Sequence, residues 1–303
     1  MEVSNADRIV FPDDGITKGD VVAHYVRVAD RMLPFIQGRA LSVERFPRGI
    51  GSQGFMQKNV PDHASEDLIG RHEVPKEGGG TTVYPVVDSA EGIAFFANLG
   101  VITFHVPPVR TEDETHSDWA IWDLDPPPDR VDLVRAAAEA MRSVLVVFGI
   151  PTLLMASGSK GYHLRARLEP TFDIDAVGVI ARGTAALASA AHDDLMTVAF
   201  RKADRGDRVF VDWMRNTPRS TSVVPWSLRP RAGAPVAVPL DWDELGSVAP
   251  DGVGLGDIED RLEADPWADA KPVDLGSAAE QVQQSLEEAG IELEPFDRFR
   301  SGP

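Results

Sequence analysis

The stretch Trp119-Ala-Ile-Trp-Asp-Leu-Asp125, followed at once by Pro126-Pro127-Pro128, constrains this chain more than any other. Its β-branched and aromatic residues predict a strand, and the prolines stop it because proline cannot donate to a sheet ladder. Side chains two apart on a strand share a face, so Asp123 and Asp125 point the same way, their α-carbons roughly 6.5–7 Å apart. Two carboxylates held side by side repel, and a divalent cation is the usual remedy. A pair of solvated turn carboxylates would read the same in isolation, so the weight falls on what accompanies it.

Downstream comes the loop Ser157-Gly-Ser-Lys-Gly161 between two predicted strands, Thr152 to Ala156 and Tyr162 to Leu168, with His163 just beyond it. Small residues around one lysine favour backbone N–H groups converging on an anion with the ammonium above, although this is not a Walker A sequence. A third carboxylate, Asp212, lies within the apolar strand Val209-Phe-Val-Asp-Trp213, where it is costly unless paired or holding metal. Three carboxylates, a phosphate-type loop, a histidine and several arginines are what metal-assisted nucleotidyl transfer requires: Asp for two divalent ions, Lys and Arg for a triphosphate.

The net charge of −18 would argue against a nucleic-acid partner if it were evenly spread. It is not. Residues 240–303 carry 17 acidic and 4 basic side chains, whereas residues 201–239 carry 8 basic and 3 acidic, leaving basic segments that suit phosphates. The absence of cysteine excludes disulfides, zinc–thiolate sites and thiol nucleophiles. The N-terminus has no apolar signal-peptide core and no apolar run suggests a membrane span, so a cytoplasmic protein without membrane contact is expected.

Other elements follow in order. Thr17 and Asp20 form a capping-box pattern opening a helix from Lys18 to Phe35. Lys18 in its first turn opposes the helix dipole, a cost that a bound phosphate would offset. Two strands joined by a glycine-rich turn are expected within 40–60; Phe55 and Met56 are adjacent there, so one should enter the core while the other faces a surface or groove. Strands are expected at Thr81 to Val87, Val101 to Val106 and Ser220 to Leu228. Helices are expected at Glu91 to Leu99, Val131 to Gly149, 173–192, near 257–263 and at 277–289.

Taken together, Asp123-Leu-Asp-Pro126, Ser157-Gly-Ser-Lys-Gly-Tyr-His163, Val209-Phe-Val-Asp-Trp213 and Ser227-Leu-Arg229 resemble, in order and spacing, the motifs of the polymerase domain of bacterial ligase D, within the archaeo-eukaryotic primase superfamily. The resemblance runs from about Ser4 to Leu245. It implies a mixed α/β (α+β) primase-polymerase catalytic module, with two facing sheets around a central groove, over residues 1–245. Residues 246–303 would form an acidic C-terminal extension packed on that module. The implied metal ligands, for two ions of Mn²⁺ or Mg²⁺, are Asp123, Asp125 and Asp212, and Asp212 would also help deprotonate the primer 3′-hydroxyl. The implied nucleotide-binding residues are Ser157, Lys160, Gly161, His163, Arg205 and Arg229, with His105 near the incoming nucleotide and primer end.

Asn5, Arg8 and Lys18 match a pocket for a downstream 5′-phosphate, Arg8 keeping the charge of the family's usual lysine. Phe55 matches an aromatic that stacks on template or nucleotide, and Lys58 lies beside it as a DNA contact. Met56 stands where a second aromatic is frequent, and Glu44 where a basic residue is. The implied reaction is template-directed addition of NTPs or dNTPs to a DNA 3′ end, filling gaps or processing ends in double-strand break repair by non-homologous end joining. The implied partners are gapped or broken duplex DNA with a downstream 5′-phosphate, a separate DNA ligase and an end-binding protein, in a bacterial cytoplasm at the nucleoid. With no fused ligase or nuclease domain in the sequence, a stand-alone member is expected. A stand-alone primase-polymerase serving excision repair or priming would have the same site. A silent DNA-end binding module would have lost the carboxylates, and a nuclease would not need a triphosphate loop.

Overall fold

The computed structural model describes residues 2–76 and 78–293; the last ten residues of the acidic extension, 294–303, lie outside the described residues. Trp119–Asp125 is an interior strand of a six-stranded sheet. It pairs antiparallel with Tyr162–Arg167 on one side and Val209–Asp212 on the other, placing Asp123 opposite both His163 and Asp212. Leu153–Ala156 and Val238–Leu240 extend the sheet beyond Tyr162–Arg167, and the short strand Met196–Thr197 pairs parallel with Val209–Asp212.

Period-two alternation divides the central strand. Ala120, Trp122 and Leu124 are buried on the face covered by the helices Val131–Val147 and Ile174–Ala191. The Trp122 indole N–H donates to the Ala181 carbonyl and the Thr184 hydroxyl, each at 3.1 Å, so this large ring is anchored as well as buried. The other face carries Asp123 and Asp125. Helix Ile174–Ala191 is apolar enough, with a mean hydropathy of 1.3 over 18 residues, to match a membrane span by length and composition. Its packing shows a core helix instead: 56% of it is buried, and Gly183 lies against Val282 and Leu286 of the helix Gly276–Glu288. Helix Gly276–Glu288 thus seats part of the acidic extension on the sheet-covering layer.

A second sheet of four strands, in the order Ser222–Val223, Val101–Val106, Ser42–Arg45 and Phe55–Gln57, faces the first across a cleft. Its outer face is covered by helices Lys18–Ile36 and Ala90–Asn98, where Tyr25 and Phe96 meet Phe104 edge-on. Helix Lys18–Ile36 begins with the expected capping box: Thr17 accepts from the Asp20 amide and the Asp20 carboxylate accepts from the Thr17 amide. A small set of buried residues, Met155, Val223, Ala237 and Trp267, joins the two sheets behind the cleft.

Two expectations differ from what is observed. Phe55 and Met56 are both about half exposed, at 48% and 49%, so neither enters the core. Their strand is the sheet's edge, and Arg45 lies 5.5 Å from the Phe55 ring centroid in place of a packed layer. The strand expected at Ser220 to Leu228 is only Ser222–Val223. Pro225 cannot donate to a ladder, and Trp226 turns the chain with φ +73°, a conformation that ends a strand.

The edge between the sheet and the loop after Asp212 is completed by a side chain. Val209–Asp212 ends opposite Asp123, leaving the peptide groups of Ile121 without a strand partner. Asn216, fully buried, supplies one: its amide oxygen accepts from the Ile121 N–H and its amide nitrogen donates to the Ile121 carbonyl, both at 2.7 Å. The same nitrogen donates to the Trp213 carbonyl at 2.7 Å, which folds the turn back on the strand. Asn216→Ala would leave these buried groups unpaired, and we expect a loss on the order of 2–4 kcal/mol in denaturant unfolding. A loss below about 1 kcal/mol would show that water replaces the side chain there.

Candidate active site

The cleft between the sheets narrows to a cavity of about 170 Å³ walled by both of them. The six-stranded sheet contributes Asp123, Asp125 and His163, and the four-stranded sheet contributes His105, Ser222 and Val223. The loop after Leu153–Ala156 adds Ser157, Ser159, Lys160 and Gly161, and Arg215, Thr221 and Arg229 close the remainder.

Glycine is required in this loop by close approach. A Cβ on Gly161 would stand 1.7 Å from the Leu124 carbonyl oxygen, so no other residue lets the loop cross the central strand there. Gly158 combines φ +66° with backbone atoms of Val236 and Ala237 at 3.0 Å from where its Cβ would be. The loop is less open to an anion than its composition implied. The Ser157 amide donates to the Gly161 carbonyl at 3.2 Å and the Gly158 amide to Pro250 at 2.8 Å, so both serve the fold. The side chains of Ser157, Ser159 and Lys160 are what it presents to the cavity.

Asp123, Asp125 and Asp212 place one carboxylate oxygen each within 4.8 Å of the others, two of the three residues being buried. Burial opposes the charge on Asp123, but His163 at 3.3 Å and Arg215 at 3.1 Å hold its carboxyl well below the usual range. Asp125 has no such partner among the described residues. Burial, then Asp123 and Asp212, push its pKa up to about 7, against which Arg215 and Arg205 act only partly. Burial also raises Asp212, with Arg215 opposing and Asp123 reinforcing the shift.

Arg215 is the residue that sequence reasoning missed. Its guanidinium bridges Asp123 and Asp212 at 3.1 and 3.0 Å, and the carboxylates hold its pKa above the ordinary value despite burial. The available signal was indirect: three crowded anions call for a cation, and Arg215 stands three residues after Asp212. Around the rim, burial and then Arg229, Arg215 and His163 lower His105 to about 3, so it is neutral near pH 7. Arg229, also lowered by burial, has a buried Nε without a hydrogen-bond partner among the described residues.

The structure therefore gathers Asp123, Asp125, Ser157, Lys160, Gly161, His163, His105 and Arg229 around one cavity, with Asp212 joined through the carboxylate cluster. Arg205 falls outside the wall. It stacks on Phe210 with its guanidinium carbon 3.6 Å from the ring centroid and donates to the Ala199 and Phe200 carbonyls, acting on Asp125 only at a distance. Phe55 and Lys58 lie along the four-stranded sheet away from the carboxylates, Lys58 lining a separate cavity with Met56 and Tyr84. At the start of helix Lys18–Ile36, the Lys18 ammonium is buried and donates to the Ser4 carbonyl at 2.6 Å and hydroxyl at 2.8 Å. Burial and then repulsion from Arg8 lower its pKa; the Lys18 amide donates to the Arg8 carbonyl at 2.8 Å and the Arg8 amide to the Asn5 carbonyl at 3.1 Å, so the three backbones adjoin.

A larger cleft of about 750 Å³ lies elsewhere, lined by Phe35, Trp119 and Trp267. Ion pairs of Arg31 with Asp265 and Arg110 with Asp118, and a hydrogen bond between His116 and Asp113, already occupy much of its polar surface. The chemistry is concentrated in the smaller cavity.

All three crowded donors are hard oxygens, which suit Mg²⁺ or Mn²⁺, and the uncompensated Asp125 marks where positive charge is lacking. A mixed α/β module with an acidic cavity between facing sheets, rimmed by lysine, histidine and arginine, is the class defined by fold and site. A family model described as the LigD primase-polymerase domain matches residues 17–267. The multifunctional non-homologous end joining protein LigD of Mycolicibacterium smegmatis is 31% identical over 267 residues, covering 87% of this chain and 35% of the relative. The corresponding DNA repair protein of Mycobacterium tuberculosis is 34% identical over 290 residues, covering 89% and 38%. A solved structure, the polymerase domain from Mycobacterium tuberculosis ligase D in complex with DNA, superposes with a TM-score of 0.81 at 30% identity over 89% of this chain and 99% of that one. The chain belongs to the LigD primase-polymerase domain family. It spans little more than a third of the length of these curated relatives, and the match passes the expected limit at Leu245.

The carboxylate cluster makes a pH prediction. Asp125 holds its proton more tightly in the folded protein, at about 7, than at its ordinary 3.8, so its contribution to stability is full below pH 3.8 and lost as pH rises through about 7. In chelator, the stability of Asp125→Asn relative to the unmodified protein should therefore grow across this window, reaching on the order of 2–4 kcal/mol. Denaturant midpoints measured as a pH series check it; a difference independent of pH would contradict it.

Proposed function

We propose that this chain is a template-directed nucleotidyltransferase that extends a DNA 3′ end with NTPs or dNTPs on gapped or broken duplex DNA, using two divalent ions. The observation that carries the reading is the joining, in one cavity, of a three-carboxylate cluster with Ser157, Lys160, His163 and Arg229. Asp123, Asp125 and Asp212 would hold Mn²⁺ or Mg²⁺, which supply Lewis acidity and charge neutralisation to phosphoryl transfer. Lys160 and Arg229 would grip the triphosphate through charge-assisted hydrogen bonds, with Ser157 and His163 adding polar contacts. The primer 3′-oxygen would attack the α-phosphorus as the bond to pyrophosphate breaks, and Asp212, whose raised pKa favours accepting a proton, would help remove the hydroxyl proton.

Asn5, Arg8 and Lys18 would grip the downstream 5′-phosphate at the N-terminus of helix Lys18–Ile36. The phosphate's second negative charge would offset the repulsion between Lys18 and Arg8. Phe55, exposed on the edge strand, and Lys58, exposed just after it, would meet the DNA. The relatives named for non-homologous end joining support that pathway, and its setting would be a bacterial cytoplasm at the nucleoid. Sealing the filled gap is a ligase's reaction, so a DNA ligase and an end-binding protein would be its partners.

Primer extension on a gapped duplex tests the reaction. We expect Asp125→Ala to lower extension by roughly 100-fold or more while DNA-end binding persists; substantial extension by the folded variant would refute the metal-site reading. On the same duplex, a downstream 5′-phosphate should bind more tightly than a 5′-hydroxyl, and the preference should shrink as salt rises. Arg8→Ala combined with Lys18→Ala should erase the preference without changing extension of a simple primer–template. Equal binding of both ends by the unmodified protein would leave these residues as structural charge.

A further inference from the structure

Arg229 does not position itself. It follows the segment Trp226–Leu228, in which Trp226 adopts φ +73°, a conformation rarely open to a bulky residue. That segment is pinned by partners from three directions. The Trp226 amide donates to the Ala237 carbonyl at 2.6 Å, the Ala237 amide to the Ser227 carbonyl at 2.8 Å, and the Arg229 amide to the Pro235 carbonyl at 2.7 Å. Thr103, on the strand that carries His105, donates its hydroxyl to the Leu228 carbonyl at 2.9 Å. Helix Lys18–Ile36 supplies the rest. His24 Nε2 lies 2.9 Å from the Trp226 carbonyl and must carry the proton, since a carbonyl only accepts. Burial lowers His24 to about 4, so it stays neutral near pH 7.

Tyr25 makes the tie that joins these parts. Fully buried, its hydroxyl accepts from the Leu228 amide at 2.9 Å and donates to the Ile102 carbonyl. The Ser227 hydroxyl lies 3.3 Å from it and accepts from the Phe104 amide at 2.9 Å. One phenol thus links the strand bearing His105 to the segment bearing Arg229, and both side chains wall the carboxylate cavity. Phenylalanine would fill the same space. Only the hydroxyl serves the link.

We infer that Tyr25 is a positioning residue for nucleotide binding, holding the backbone before Arg229 so that its guanidinium meets the triphosphate. This rests on the nucleotide reading of the cavity proposed above. A side chain that merely stabilised the fold would lower every activity together. A clamp acting through Arg229 should weaken nucleotide binding selectively, and should have nothing left to weaken once Arg229 is gone.

The test is a double-substitution cycle on the full chain, with nucleotide triphosphate affinity and 5′-phosphorylated DNA-end affinity measured separately. Tyr25→Phe should weaken nucleotide affinity roughly 5- to 10-fold, the scale of one buried hydrogen bond, with DNA-end affinity unchanged. In the Arg229→Ala background the same substitution should add no further loss. Thr103→Val, which removes an independent bond to the same residue, Leu228, should give the same pattern should Tyr25→Phe fail to fold. Unchanged nucleotide affinity in Tyr25→Phe and Thr103→Val, or losses that add in full to that of Arg229→Ala, would overturn the clamp while leaving the nucleotide site intact. Full nucleotide affinity in Arg229→Ala itself would remove the nucleotide reading, and the clamp with it.

Discussion

Mutual repulsion among Asp123, Asp125 and Asp212 is the constraint on which the site depends. Their oxygens share a space less than 5 Å across, inside a protein where charge is poorly screened. The chain relieves part of the cost itself. Arg215 bridges two of the three carboxylates, His163 approaches Asp123, and Asp125 is left without a direct partner among the described residues. Local stability would favour a neutral residue at Asp125. Keeping a carboxyl that favours its proton near pH 7 makes sense where bound cations ionise it.

The surrounding architecture serves to hold that repulsive group in place. Antiparallel pairing on both sides of Trp119–Asp125 sets Asp123 opposite Asp212 and His163. Asn216 completes the ladder where the neighbouring strand ends and directs the chain into the turn that delivers Arg215. Gly161 lets the lysine-bearing loop pass against the backbone of the same strand. From the opposite sheet, the network through Tyr25 fixes the approach of Arg229. Cations therefore reach the cavity from elements far apart in sequence, while all three carboxylates come from two adjacent strands.

Much of this was legible from local pattern. The alternation in Trp119-Ala-Ile-Trp-Asp-Leu-Asp125 announced a strand with both carboxylates on one face, and Thr17 with Asp20 marked the start of a helix. The glycine- and serine-rich loop declared itself by composition. What stayed hidden depended on distant partners. Phe55 and Met56 alternate as expected, but an edge strand without a covering layer leaves both exposed. The segment 220–228 has strand-like composition, yet Pro225 and the turn at Trp226 reshape it around Ala237 and Tyr25. Arg215 and Arg205 look alike on paper. The first folds onto the carboxylates, while the second is captured by Phe210 and two carbonyls.

Cation uptake by the carboxylate cluster is read more directly from binding than from activity. Mn²⁺ titrated into the unmodified protein and followed by electron paramagnetic resonance should show bound ion at pH 8, with affinity falling as pH drops below about 7 and Asp125 takes up its proton. Asp212→Asn should abolish that bound population while thermal unfolding remains cooperative. An identical bound fraction in the variant, or no binding by the unmodified protein with nucleotide present, would contradict the account.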